Sequence, residues 1–442
     1  MSQWKKVKIG DFLKRKRIPV VLDETAKYKL LTVRLYHKGI VLREEKLGAL
    51  IKSNMFKVSK GDFILSGIDA RNGAFGIVPE ELDGAVVTND FWYFDIDESI
   101  IKREYFLWLT TTPIFLDACQ KASKGETQRI RLQKEAFFNY EINCPTIDYQ
   151  DEFLSTIASV IDNINELKKE TEKQTEFVKQ LRASILQDAI EGKLTADWRE
   201  KHPVKKGDPD YDAEALFEKI QAEKQEKGKK QKFLPAITED EKPFAIPTGW
   251  IWVRLGDICS KIGSGSTPRG SDYCESGVPF FRSQNVYNEG LEYKDLVYIS
   301  ELNQKRMKGT SVLPNDLLLN ITGGSLGRCA VVPTNFIEGN VSQHVCIIRT
   351  LITNHLYLHD FILSELFQCN IKTSGAGRQG LPKYNLEKMI LPLPPLAEQN
   401  EIVARVEKHL ETITQLETQI ASRETLTKQL MQGLLKDAFE EG

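Results

Sequence analysis

At 442 residues the chain is long enough for two or three domains, and 41 % hydrophobic with 28 % charged residues is an ordinary water-soluble composition. A net charge of −2 excludes a uniformly basic surface, so any nucleic-acid contact must be made by local patches. No run of about 18 apolar residues implies a membrane span, the start "MSQWKKVKIGDFLKRKRIP" has no apolar signal core, and the seven scattered cysteines form no C-x-x-C pair, so the expectation is a cytoplasmic protein without a zinc ribbon or disulfide frame.

Residues 1–145 read as a globular α+β segment. Short strands are expected at "KYKLLTVRL", "GDFILSGI", "GAFGIVP" and "DFWYFDI", followed by one helix, "KREYFLWLTTTPIFLDACQKA". Residues 146–195 read as a long helix, free of proline and glycine from 150 up to Gly192. Its apolar residues Phe153, Ile157, Val160, Ile164, Leu167, Val178, Leu181 and Ile185 recur in steps of three and four, a heptad seam interrupted at Thr171 and Gln174. A helix of about 43 residues with one apolar stripe needs a partner to pack on. Residues 196–245 form a turn-rich connector with one short amphipathic helix, "AEALFEKIQAEKQEKGKKQKF", whose basic tail suits a solvated face.

Residues 246–392 repeat the globular pattern. The strands are "VPFFRSQNV", "NDLLLNIT", "RCAVVP" and "HVCIIRT", and the helix is "NHLYLHDFILSEL". Residues 393–442 repeat the long helix, with a seam at Ile402, Val406, His409, Ile413, Leu416, Ile420, Leu430 and Leu434, broken at Arg423 and Thr427. From Lys179 to Glu191, seven of the thirteen positions are identical in the later copy, and "WKKVKIGD" returns as "WIWVRLGD". The chain is therefore a duplicated half-molecule.

Neither half carries a recognisable chemistry motif. There is no P-loop or dinucleotide fingerprint, and the six histidines show no metal-ligand spacing. What recurs is polar and basic side chains beside glycines, types that read base edges or let the backbone approach phosphate. In the first half these are Arg34, Tyr36 and Lys38 in "TVRLYHKG", Arg71 and Asn72 in "SGIDARNG", Thr88 and Asn89 in "VVTNDF", and Gln128 and Arg129 in "SKGETQRIR". The second half offers Arg269 in "GSGSTPRGSDY", then Arg282, Gln284 and Asn285 in "FRSQNVYNEG". It continues with Gly323, Ser325 and Arg328 in "NITGGSLGR", Gln343 and His344 in "GNVSQH", and Arg378, Gln379 and Lys383 in "SGAGRQGLPKYN". Equivalent positions hold different side chains, with Arg34 set against Asn285 and Thr88/Asn89 against Gln343/His344, as two readers of two sequences would show. A coiled-coil adaptor that binds proteins alone explains the helices but leaves these loops idle.

The order globular half, long helix, globular half, long helix, with "LPLPPLAEQNEIV", "QLRASILQDAIEGKLTADWRE", "IPTGWIWVRLGDI" and "GVPFFRSQNV", resembles the specificity subunit of Type I restriction–modification systems. The first half departs from the pattern, since "CPTIDYQDEF" stands for the usual P-P-L-x-E-Q and "KRKRIPV" lacks the G-x-T-P turn. The resemblance implies two target recognition domains, each reading half of a bipartite, asymmetric site in double-stranded DNA. It also implies an antiparallel coiled coil that sets the spacer and relates the halves by a pseudo-two-fold axis. Two methyltransferase and two restriction–translocase subunits would join the chain, and the S-adenosylmethionine, ATP and Mg2+ would be theirs. The chain itself would have no cofactor, metal or catalytic residues.

Overall fold

Strand Trp4–Lys8 pairs antiparallel with Glu141–Pro145, so the beginning of the first half is closed by the segment that leads into the long helix. The second half does the same with Ile251–Arg254 and Ile390–Leu393. This computed structural model describes residues 4–125, 130–226, 234–268, 273–374 and 380–440, with the side chains of 431, 432 and 434–440 left aside.

Each half is built on a four-stranded antiparallel sheet of the same order. In the first it runs Leu13–Lys16, Phe91–Ile96, Phe63–Ser66, Phe75–Ile77; in the second, Cys259–Ser264, Val345–Thr350, Leu317–Asn320, Cys329–Val331. The central strands read FILS and LLLN and are buried throughout, as strands covered on both faces should be. An aspartate precedes each: Asp62 accepts from the Ser59 N–H and pairs with Lys16 at 2.7 Å, and Asp316 accepts from the Leu313 N–H and pairs with Arg349 at 2.7 Å. Both carboxylates are buried and both are partnered, which is what makes their burial tolerable.

The halves differ on their second sheet. The first has five strands, ordered Pro19–Val20, Met55–Lys57, Val86–Val87, Lys27–Val33, Ile40–Leu47. The second has three, Val297–Ile299, Val278–Phe281 and Asn340–Val341. The helix expected after the first set of strands is two, Arg103–Thr110 and Pro113–Lys121, because Pro113 cannot continue the ladder and opens a new helix instead.

The long helices are Ile147–Ile190 and Leu396–Glu440. The described chain divides into two compact units, one of residues up to Glu172 together with those from Ala421 on, the other Lys173–Ile420, and both helices pass from one unit to the other. Within the second unit the helices run antiparallel: Arg182 meets Glu417 at 3.4 Å, while further along Arg405 meets Asp197 at 2.5 Å and the Leu194 carbonyl at 2.8 Å. Glutamines at equivalent first-turn positions dock each helix to its own globular half. The Gln150 carboxamide accepts from the Lys102 N–H and donates to the Ile100 and Pro145 carbonyls; Gln399 accepts from the Asn354 N–H and donates to the Pro394 carbonyl.

The seam is narrower than the heptad pattern predicts. Ile157, Ile164, Thr171, Val178 and Ile185 are buried, one line at seven-residue spacing, and within the second unit Val178 and Ile185 share a core with Ile402, Val406 and Ile413. Val160 is half-buried. On the second apolar line Phe153 and Ile402 are buried near the starts of their helices, while Leu167, Leu181, Leu416 and Leu430 further along are 38–56 % exposed. Leu434 falls outside the described side chains.

The connector is not a loose tether. Helix Ala213–Glu226 buries Ala213, Leu216 and Ile220, and Lys224 and Gln221 donate to the Gly256 and Asp257 carbonyls. A helix the sequence does not announce, Ala196–Lys201, follows the first long helix. Gly192 (φ 75°) ends that helix, and a Cβ there would lie 2.6 Å from Pro247. Beyond it Glu398 lies buried and accepts from Thr195 Oγ1 (2.7 Å), Arg199 Nη1 (2.5 Å) and Trp250 Nε1 (2.7 Å), tying connector, second globular half and second long helix together. The equivalent position in the first half is Tyr149, which packs against Trp4 with ring centroids 5.4 Å apart.

Candidate nucleic-acid interface

Three segments converge where the central strand of each half ends. After Phe63–Ser66, the Gly67 N–H donates to the Asp90 carbonyl (2.8 Å), and the Gly67 carbonyl accepts from the Leu132 N–H (2.8 Å). After Leu317–Asn320, the Ile321 N–H donates to the His344 carbonyl (3.0 Å), and its carbonyl accepts from the Leu381 N–H (2.8 Å). The Phe91 N–H to Thr88 carbonyl bond likewise matches Val345 to Ser342. These bonds set the true correspondence, which is one residue away from that read from the sequence: Asn89 matches Gln343, and Asp90 matches His344. The parallel pairings Leu30 with Val86 and Phe280 with Asn340 also match Arg34 with Gln284, not Asn285.

In the first half the hairpin between Lys27–Val33 and Ile40–Leu47 folds over this end. Tyr36 and His37 both take left-handed backbone (φ 59° and 56°), the geometry that reverses two strands tightly. Their N–H groups donate to the Asn72 and Gly73 carbonyls at 2.9 and 3.0 Å, and the His37 ring meets Phe75 edge-on at 4.9 Å. The hairpin and the 69–74 turn thus form one surface with Arg34, Tyr36 and Lys38 exposed and Arg71 and Asn72 half-buried. Asn89 is exposed and Thr88 half-buried on the neighbouring turn, where Arg131 pairs with Asp90 at 3.0 Å. Gln128 and Arg129 lie outside the described residues.

In the second half Asn320 donates from its amide to the Ser283 carbonyl (2.9 Å), drawing the 282–288 loop to the strand end. Arg328 lies over the Tyr287 ring at 5.0 Å, both exposed, and Asn288 Oδ1 accepts from the Cys329 N–H. Stacking on tyrosine holds a guanidinium outward with little conformational freedom left to lose. Thr322 Oγ1 lies 2.8 Å from His344 Nδ1. Gln284, Gly323 and Gln343 are exposed, Ser325 is half-buried, and Lys383 is exposed beside Glu387 at 3.3 Å. The turn before this region needs Gly265, since a Cβ there would lie 1.9 Å from the Val341 carbonyl oxygen.

One expectation is corrected. Asn285 does not face outward: it is fully buried, donates to the Glu292 and Lys294 carbonyls and accepts from the Arg282 N–H, so its amide is spent on shaping the loop. Arg282 is half-buried and donates from Nη2 to the Asp295 carbonyl at 2.9 Å. Arg269, Arg378 and Gln379 lie outside the described residues. Asp90, Arg131, Tyr287 and Thr322 share these surfaces and were not among the residues expected from the sequence, where no spacing rule marks them.

Both ends present guanidinium, carboxamide, hydroxyl and imidazole groups on short, backbone-pinned loops, a mixture of donors and acceptors suited to reading polar edges. The thiols nearby are poor nucleophiles, because burial pushes Cys346 up to about 12 and Cys329 higher still. Among the described residues no group of three or more His, Cys, Asp and Glu side chains could hold a metal ion, and no helix is long and apolar enough to cross a membrane.

The chain is 23 % identical over 367 residues to the Type I restriction enzyme EcoAI specificity subunit of Escherichia coli, covering 72 % of this chain and 61 % of that protein. The EcoEI specificity subunit of the same organism is 22 % identical over 395 residues, covering 77 % and 65 %. The matches thus span less than two thirds of these relatives' length. Among solved structures, the HsdS subunit from Thermoanaerobacter tengcongensis superposes with a TM-score of 0.56 at 17 % identity, over 99 % of this chain and 97 % of that one. A chain solved in work on complex assembly and conformational transition of the type I R-M system superposes with a TM-score of 0.64 at 18 % identity, over 99 % and 98 %. These likenesses are of fold. The family model for the Type I restriction modification DNA specificity domain matches twice, at residues 1–176 and 247–423, the two halves built on the same sheet. The chain therefore belongs to the Type I restriction modification DNA specificity domain family.

Proposed function

We propose that this chain reads DNA for a Type I restriction–modification complex, with residues 1–145 and 246–392 as two target recognition domains that each bind one half of a bipartite, asymmetric site. The observation that carries this is the pair of equivalent strand ends, held by the same backbone bonds and furnished with different exposed side chains. In this reading the long helices set the unread gap and offer a platform to two methyltransferase and two restriction–translocase subunits. The chain performs no chemistry of its own. S-adenosylmethionine, ATP and Mg2+ serve the partners, which also supply much of the phosphate contact beside a near-neutral chain. Such a complex works in the cytoplasm.

The test is the methylated sequence in cells expressing the chain with its partners. Exchanging residues 1–145 for the equivalent part of another such subunit changes one half-site only. Matched four-residue helical insertions after Glu172 and after Ile420 add about 6 Å to each helix. The gap then lengthens by about one to two base pairs at 3.4 Å each. An unchanged gap in a methylating variant makes the helices a platform and not a ruler. If the purified chain, with its methyltransferase partner, holds random and specific duplexes alike, the DNA-reading function is wrong.

A further inference from the structure

The backbone bonds that align Asp90 with His344 place two chemically opposed side chains at one position of the duplicated fold. We propose that this position is specificity-determining and makes the two half-sites differ; the inference rests on the DNA-reading function above. Each side chain is steered by a neighbour from another segment: Asp90 by Arg131 at 3.0 Å, His344 by Thr322 at 2.8 Å. The Asp90 side chain is 46 % exposed and Arg131 59 %, so the pair adds little to stability and is free to face a ligand. A carboxylate only accepts hydrogen bonds, and in the major groove the groups that donate to it are cytosine N4 and adenine N6. The first domain thus selects an amino-bearing base at this step. A Thr322 hydroxyl that donates to Nδ1 leaves His344 protonated on Nε2, and the exposed Gln343 amide 3.5 Å away then turns its oxygen, not its nitrogen, toward that N–H. Nε2 then donates, and the base edge suited to it is guanine N7 or O6. The flanking carboxamides Asn89 and Gln343 are of one chemical class, so the contrast falls on Asp90 and His344.

The experiment selects bound sequences from a pool of randomised duplex DNA, using the full chain with its methyltransferase partner. Asp90→His changes one base of the first half-site, lowering preference for the original base by about tenfold, and leaves the second half-site as it was. His344→Asp does the reverse. Thr322→Val weakens selection at the base affected by His344→Asp and nowhere else, a result that loss of fold would not give. Should Asp90→His fail to fold, Asp90→Asn keeps the volume and is read at the same base. Variants that bind with the parent's consensus at every position overturn the proposal and leave DNA reading intact. A parent that selects no sequence overturns DNA reading itself, and this inference with it.

Discussion

Removing the Glu398 carboxylate is the sharpest probe of how the second unit is held together. Its side chain is 2 % exposed, and it accepts three hydrogen bonds, from Thr195, Arg199 and Trp250. Arg199 is 20 % exposed, donates also to the Gly192 carbonyl at 2.6 Å and lies 5.7 Å from the Trp250 ring, so it cannot simply turn to water. Glu398→Ala leaves a mostly buried guanidinium, an indole N–H and a hydroxyl without their acceptor. Breaking one partner of a buried pair costs about 3–5 kcal/mol. The first-turn position of Glu398 in its helix adds roughly 0.3–1 kcal/mol through the helix dipole. For a unit of this size the melting temperature of Lys173–Ile420 falls by about 6–20 °C. Urea unfolding followed by Trp250 fluorescence measures it. A cycle with Arg199→Met isolates the pair, because once the guanidinium is gone Glu398→Ala costs much less. A Glu398→Ala loss within about 1 kcal/mol of zero would refute the reasoning, since a buried charge-assisted cluster cannot be silent.

Burial, with the Glu407 charge adding to it, pushes the Asp360 carboxyl up to about 8. Between about pH 4, the ordinary aspartate value, and pH 8 the unfolded chain releases this proton while the folded chain keeps it. Stability therefore falls as pH rises through that window and is flat above it. Asp360→Asn flattens the slope between urea midpoints at pH 5 and pH 8; an equal slope in parent and variant would assign the effect elsewhere. Ile164→Ala and Ile413→Ala each cost about 2–5 kcal/mol, as buried residues do. Leu181→Ala and Leu416→Ala, on the exposed flank, cost under about 1 kcal/mol each, and equal losses by calorimetry across the four would restore the wider seam. Gln150→Ala and Gln399→Ala each leave buried backbone groups unpaired at about 1–3 kcal/mol, readable as lower denaturant midpoints.

The duplication, the two long helices and three of the four strands in each half's central sheet were legible in the sequence. Periodicity is a local property, and a repeat shows itself whatever the chain folds into: FILS and LLLN declare buried strands, and the glycine-free stretch before Gly192 declares a helix. Which side of each element finds a neighbour was not legible. Both heptad lines are apolar, yet in the first long helix the line through Ile164 and Val178 stays covered while the other is exposed at Leu167 and Leu181, because the crossing of two helices is decided by how their surfaces mesh. Asn285 and Gln284 are adjacent polar residues in one turn. The first folds back onto its own backbone and the second points to water, a choice set by carbonyls at Glu292 and Lys294 that arrive from a later strand connection. Asp90 and His344 became equivalent only through the bonds at Gly67 and Ile321, since unequal loop lengths shift any alignment of the two halves. The sequence by itself determined that there are two halves of one architecture; the tertiary structure decided which atoms they present, because exposure at a loop depends on partners distant in the chain.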